Sequence, residues 1–118
     1  MADHSMVRGD TKYINIPVTQ PNGTAYNLTG CSLWFTVKRH VGDVDALAVF
    51  QLTIGSGIAI LSAAGGTAQV TITPALTASL VGNPDRLVYD VQLKSSTNEV
   101  FTIEQGTLTV KAGVTLAS

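Results

Sequence analysis

The side chains that could carry acid–base or metal chemistry are few and widely spaced in this sequence. His4 and His40 are the two histidines, and neither has a second ligand at the spacing that a metal site requires. We therefore interpret both as surface histidines. Asp43 and Asp45 are close enough to share a calcium ion, but no third oxygen donor stands near them, whereas Ca²⁺ takes about six to eight oxygen ligands.

The sequence also shows no set of nucleophile, base and orienting group. Asp90 and Glu104 fall on the outward faces of predicted strands, which suggests contact with solvent or a partner rather than a catalytic pair. Cys31 is the single cysteine, so it can form neither an intramolecular disulfide nor a metal knuckle. Phosphate-binding and hydrolase motifs are absent from the sequence. We predict a protein that is not an enzyme and that uses no cofactor or metal.

The composition narrows the class of partner. Charged residues make up 13% of the 118 residues, hydrophobic residues make up 45%, and the formal net charge is −1. The seven Lys and Arg residues are spread along the chain and do not form the basic cluster that nucleic acid requires. A net charge near zero favours association between protein molecules. The composition therefore predicts no nucleic-acid partner and suits a protein that works inside an assembly.

The segment Ala46 to Pro84 contains no charged residue, which raises the question of a membrane span. Its apolar runs are interrupted by Gln51 and by glycines at 55, 57, 65 and 66. No run reaches the roughly 18–20 residues that a spanning helix needs. We predict no membrane segment and interpret this part of the chain as strands whose outward residues are Thr, Ser, Gln and Ala.

The elements that position these residues are β-strands. The stretch Arg86 to Lys111 predicts a β-hairpin, because apolar and polar residues alternate through its first half and a polar turn follows. A lone hairpin is barely stable in water, so a second apolar layer must cover its inward face. The inward residues of its first strand are Leu87, Tyr89, Val91 and Leu93.

Similar alternation elsewhere predicts an all-β fold, a two-sheet immunoglobulin-like β-sandwich of about seven strands. Thr73, Pro74 and two leucines four residues apart predict one short helix, Pro74 to Leu80, that covers the sandwich. Gln105-Gly106 is a predicted β-bulge in the last strand. The predicted strands outside the hairpin are 12–19, 31–38, 47–54, 58–61 and 67–73.

The chain is predicted to form one domain. Residues 1–10 carry little pattern and predict a flexible or partner-docked N-terminal arm. Residues 11–118 predict a single β-sandwich domain. Pro17 in the first predicted strand favours a sheet edge, where a missing N–H does no harm.

The outward residues of the predicted strands suggest where a partner would bind. Uncharged polar faces can be covered at little desolvation cost. Trp34 is the single tryptophan and would be a natural anchor, since aromatic residues dominate binding hot spots. The alternative is a satellite core position beneath the loop 39–45. The candidate interface residues are Trp34, Thr36, Thr67, Gln69 and Thr71.

Several segments together resemble a family of small structural proteins of tailed bacteriophages, and most closely the N-terminal domain of the phage baseplate upper protein. The pattern runs from Arg8 to Thr115 and consists of strands and turns rather than chemical motifs. The segments that carry it are RGDT at 8–11, PNGT at 21–24, NLTG at 27–30, CSLWFTVK at 31–38, VTITP at 70–74, LVYDVQL at 87–93 and QGTLTV at 105–110.

This resemblance implies an immunoglobulin-like sandwich that acts as an adaptor or attachment module in the tail, neck or baseplate of a virion. It implies other virion proteins as partners, several symmetry-related copies, synthesis in the host bacterial cytoplasm and no catalytic residue. A capsid decoration protein is the alternative within this class. From another class, a soluble carbohydrate-binding module would use Trp34 and Tyr26 as stacking platforms.

Overall fold

The computed structural model describes residues 2–82 and 84–113, which form an all-β fold with 55% strand and 6% helix. The predicted fold class is therefore confirmed. Met1 of the predicted arm and residues 114–118 of the predicted domain lie outside the described residues.

The described part of the chain contains eight strands and two very short helices. Within most strands, buried residues alternate with exposed or half-buried ones, as the period of two requires. In chain order the elements are β1 (Ala2–Val7), β2 (Lys12–Pro17), β3 (Ser32–Lys38), a 3-10 helix (Asp45–Leu47), β4 (Phe50–Ile54), β5 (Gly57–Ser62), β6 (Thr67–Ile72), α1 (Pro74–Thr77), β7 (Asp85–Lys94) and β8 (Val100–Lys111).

All eight strands form one mixed sheet in the order β1-β8-β7-β3-β4-β5-β6-β2. β1 and β2 are its two edges, yet only four residues separate Val7 from Lys12 in the chain. A connection this short spans at most about 18 Å, so the sheet must curl until its edges approach each other at one end. The immunoglobulin-like sandwich is broadly compatible with this arrangement, in which both layers belong to one curled sheet. The edge position expected from Pro17 is confirmed, since β6 is the one described strand with which β2 pairs.

The predicted hairpin is the pair formed by β7 and β8. Its bulge lies at Ile103, because the register changes from Val91 opposite Glu104 to Gln92 opposite Thr102. The four residues of β7 predicted to face inward are at most 4% exposed: Leu87, Tyr89, Val91 and Leu93.

The bulge predicted at Gln105-Gly106 is wrong. The two strands pair regularly there, with Tyr89 opposite Gly106, and the glycine has no side chain to compete with the tyrosine ring. Regular pairing through Gly106 also puts Glu104 on the same side as the buried Leu108. The expectation that Glu104 faces outward is therefore wrong as well.

Within the segment predicted as a flexible or partner-docked arm, residues Ala2–Val7 form a strand. β1 runs parallel to β8, from Ala2 opposite Gly106 to Val7 opposite Lys111. Met6 is 8% exposed and belongs to the core. The apolar pattern is weak because, from Asp3 to Val7, Met6 is the one buried apolar side chain. The backbone of β1, however, supplies partners that the outer edge of β8 would otherwise lack.

The core is centred on β3, in the middle of the sheet. The Phe35 side chain is fully buried. Its ring centroid lies 5.2 Å from that of Tyr89 on β7 and 6.3 Å from that of Phe50 on β4, and both ring pairs are stacked. The three rings therefore tie three neighbouring strands together from the inside.

The helix α1 covers the turn between β1 and β2. It begins at the predicted Pro74 but ends at Thr77, before Leu80. Thr77 and Leu80 are nevertheless buried. The Thr77 hydroxyl accepts a hydrogen bond from the Gly9 N–H at 3.0 Å, and the Arg8 guanidinium donates to the Leu80 carbonyl. These bonds hold the two sheet edges at the end where they approach.

We expect Phe35→Ala to lower the free energy of unfolding by about 3–5 kcal/mol, because the substitution removes a fully buried ring and leaves a cavity. Phe101→Ala is the matched control: Phe101 is 46% exposed, so its loss should cost about 1 kcal/mol or less. Urea denaturation of both variants measures the difference. Equal losses would contradict the placement of Phe35 at the centre of the core.

Candidate functional site

A polar surface with one aromatic ring lies on the outer side of β7, β3 and β4. The inward residues of β3 are buried, so the residues between them point away from the core. Neighbouring strands place further side chains beside them in register. Read from β7 to β4, two adjacent rows are Gln92–Trp34–Thr53 and Asp90–Thr36–Gln51.

Apart from Thr53, the residues of these rows form the floor of an open depression, here called the Trp34 depression, with a volume of ≈ 490 Å³. Asp45, the first residue of the 3-10 helix, forms one side, at the end of the loop 39–44. Lys38 holds this loop in place, because its Nζ lies 2.7 Å from the Asp43 carbonyl oxygen and 2.8 Å from Asp45 Oδ1. The lining residues are Trp34, Thr36, Lys38, Asp45, Gln51, Asp90 and Gln92.

Several polar groups in the Trp34 depression have unused hydrogen-bonding capacity. Thr36 is 7% exposed and its hydroxyl accepts a bond from Gln51 Nε2 at 2.9 Å, so this pair is satisfied. By contrast, none of the described residues hydrogen-bonds to Trp34 Nε1, the Asp90 carboxylate or the Gln92 side-chain amide. These groups are also not sealed from solvent. They can therefore bond to a ligand that enters the depression.

The electrostatics of the Trp34 depression are slightly negative, with one lysine against two carboxylates. The hydrogen bond and the charge of Lys38 hold the pKa of Asp45 below its ordinary value. Burial raises the pKa of Asp90, although the charge of Lys38 acts in the opposite direction. Lys38 is thus engaged mainly with Asp45, and the Asp90 carboxylate is less well compensated.

A second surface, here called the uncharged face, lies on the outer side of β5, β6 and β2. It contains no ionisable side chain other than that of Tyr13, which is 63% exposed. Within it, Gln69 Nε2 donates to Asn15 Oδ1 at 3.2 Å across neighbouring strands. The residues of the uncharged face are Tyr13, Asn15, Pro17, Ala59, Ser62, Thr67, Gln69 and Thr71.

The five candidate interface residues divide between these two surfaces. Thr67, Gln69 and Thr71 lie together on β6, in the uncharged face. Trp34 and Thr36 lie on β3, and the strands β4 and β5 separate them from β6. The residues predicted from the sequence as one interface therefore belong to two separate surfaces.

The two aromatic residues considered as stacking platforms are also apart. Trp34 is half-buried and lines an open depression, so it is neither a fully exposed anchor nor a core residue beneath the loop 39–45. Tyr26 packs against the core, and its backbone N–H donates to the Val18 carbonyl at 3.0 Å. Tyr26 does not line the Trp34 depression.

A partly buried polar cluster, which was not predicted from the sequence, joins β1, β8 and β7. The Tyr89 hydroxyl donates to Glu104 Oε1 at 2.5 Å, and His4 Nε2 lies 3.5 Å from the same oxygen. The His4 and Tyr89 rings are 5.5 Å apart. Burial, and then the bond to Glu104, raises the pKa of Tyr89. Extending the period of two from Leu108 back through Gly106 would have placed Glu104 inward and revealed the cluster.

Neither a metal centre nor a membrane helix is found in residues 2–82 and 84–113. No group of three or more His, Cys, Asp or Glu side chains in these ranges is arranged to hold a metal ion. No helix in these ranges is both long and apolar enough to cross a membrane.

Comparisons with known proteins do not place the chain in a family. No family model matches it, and no protein of curated function does. Among solved structures, the chain is similar to AggA, the major subunit of aggregative adherence fimbriae type I from Escherichia coli, with 10% sequence identity and a TM-score of 0.32. The alignment covers 96% of this chain and 91% of that one. At this TM-score the likeness carries no argument about the present chain.

Substitutions of Asp90 and Asp85 should change the free energy of unfolding in opposite directions. The pKa of Asp90 is raised, so the fold disfavours its ionised form. The pKa of Asp85 is lowered, chiefly because the Gly82 N–H donates to its carboxylate at 2.7 Å and secondarily through Arg39. At neutral pH, Asp90→Asn should therefore raise the free energy of unfolding, and Asp85→Asn should lower it.

The pH dependence follows from the same shifts. The stability gained by Asp90→Asn should shrink as pH falls through the raised pKa of Asp90 and vanish below the unfolded value of about 3.9. The loss in Asp85→Asn should shrink only below about 3.9, as pH falls through the lowered pKa. Urea denaturation across this range measures both. If both substitutions changed the free energy of unfolding in the same direction at neutral pH, the environments assigned to Asp90 and Asp85 would be wrong.

Proposed function

We propose that this protein is a non-enzymatic structural component of a tailed-bacteriophage virion, an adaptor in the tail, neck or baseplate. In this role, several copies dock on neighbouring virion proteins, and the chain is made in the host bacterial cytoplasm. The sequence resemblance described above supports the viral assignment. The role needs no catalytic group, cofactor or metal.

The observation that carries the proposal is the uncharged face. A charged surface resists burial because each ion must lose its water, whereas Thr, Asn, Gln and Ala side chains can be covered at much lower cost. The whole segment Ala46–Pro84, which contains β4, β5 and β6, has no charged residue. Tyr13, at 63% exposure, adds an aromatic anchor of the type enriched in protein interfaces.

The sheet edge next to the uncharged face supports the same role. Among the described residues, β2 pairs only with β6, so its other side presents backbone N–H and C=O groups that a strand of a neighbouring subunit can pair with. Pro17 blocks pairing at the end of β2, since it has no N–H. This leaves the first part of the strand, from Lys12 to Ile16, as the available edge. A neighbour bound there would contact both the edge and the uncharged face.

The direct test is to locate the protein in purified particles. We expect mass spectrometry of washed virions to detect it at a stoichiometry that fits a symmetric ring. Density for the chain in a particle reconstruction should have a neighbouring protein over the uncharged face. A position on the head shell would favour the decoration alternative over the tail adaptor. Absence from washed virions would overturn the proposal.

A matched pair of substitutions tests the docking surface itself. Thr71→Glu puts a charge in the uncharged face, whereas Thr109→Glu puts the same charge on the outer side of β8, opposite Arg86. Both positions face outward, so each change should alter the free energy of unfolding by only about 0.5 kcal/mol. We expect Thr71→Glu to reduce incorporation into particles about tenfold or more, and Thr109→Glu to leave it unchanged. Equal incorporation of both variants would contradict docking through the uncharged face.

A further inference from the structure

We propose that the Trp34 depression binds a neutral saccharide, with one pyranose ring stacked on the Trp34 indole. The Trp34 depression lies on the outer side of β7, β3 and β4, and saccharide binding there does not depend on the virion role. β4 and β5 separate β3 from β6 in the sheet. A neighbouring subunit on the uncharged face therefore leaves this depression available.

Trp34 gives the depression an aromatic surface. Trp34 occupies the middle of a row, with Gln92 on one side and Thr53 on the other. Cross-strand neighbours on both sides restrict the ring, so little conformational entropy is lost when a ligand packs on it. A pyranose ring presents several C–H groups on one face, and this apolar face packs on a flat aromatic surface.

Unpaired polar groups lie around that aromatic surface. A sugar hydroxyl both donates and accepts hydrogen bonds, so it needs partners of both kinds. The Gln92 amide supplies a donor and an acceptor, Trp34 Nε1 supplies a donor, and the Asp90 carboxylate supplies acceptors. None of these groups is hydrogen-bonded to another described residue. The depression therefore offers complementary partners without breaking an existing bond.

The charge and the volume of the Trp34 depression favour a small neutral ligand. The single cation, Lys38, already contacts the Asp43 carbonyl and the Asp45 carboxylate. Asp90 leaves the depression with an excess of negative charge, which disfavours phosphorylated or sulfated ligands. The volume of ≈ 490 Å³ lies within the range of about 300–1,000 Å³ for small-molecule sites. A neutral saccharide therefore fits better than an anionic ligand.

The experiment uses the single tryptophan of the chain as a reporter of the site. The full-length protein is titrated with cellotriose, mannotriose, galactotriose and chitotriose, and with heparin trisaccharide as the anionic comparator. We expect at least one neutral sugar to change the Trp34 emission saturably, and calorimetry to give the same affinity. No saturable response to any neutral sugar, or tighter binding of the heparin trisaccharide, would overturn the proposal.

Three variants identify the surface that binds, with calorimetry as the readout. Trp34→Ala should weaken binding about tenfold or more, since the stacking surface is lost. Gln92→Ala should weaken it about threefold to tenfold through one lost hydrogen-bonding side chain. Gln69→Ala is the matched control, because it removes the same side chain from the outer face of β6, and its affinity should be unchanged. If Gln92→Ala bound like the unsubstituted protein, or Gln69→Ala lost binding, the assigned site would be wrong.

Discussion

The curling of a single sheet, which brings its two edge strands together at one end, is the constraint on which the rest of this structure depends. β1 and β2 follow each other closely in the chain but lie at opposite ends of the strand order. Pairing β1 with β8 and β2 with β6 therefore bends the sheet around one interior, with Phe35 at its centre. The interior takes apolar side chains from every strand, and the polar groups available for recognition lie mainly on the outside.

The outer surface has two chemically distinct regions, and each suits a different partner. The uncharged face of β5, β6 and β2 suits burial against a protein, because few groups there lose hydration when covered. The Trp34 depression combines an aromatic ring with unpaired polar groups, which suits a small polar ligand. The strands β4 and β5 separate β3 from β6, so an adaptor docked through the first region would still present the second.

The inner faces were predictable from sequence because a period of two depends only on local order, as in Leu33, Phe35 and Val37. β1 was missed because its backbone pairing with β8, and not an apolar pattern, holds it in place. The bulge was misplaced because the strands pair regularly through Gly106, opposite Tyr89, and the extra residue is Ile103. For the sites, the sequence identified Trp34 and the polar residues of β6. It could not place Gln92 beside Trp34, because that contact depends on the order of strands in the sheet.

Amide hydrogen exchange of β1 is the most direct test of its pairing with β8, on which the curled sheet depends. If β1 completes the sheet, those of its amides that point towards β8 should exchange slowly, at rates close to those of β8 itself. The loop 39–44 supplies the fast reference within the same molecule. Exchange of all β1 amides as fast as this loop would contradict the account, since β8 and not β1 would then be the edge strand.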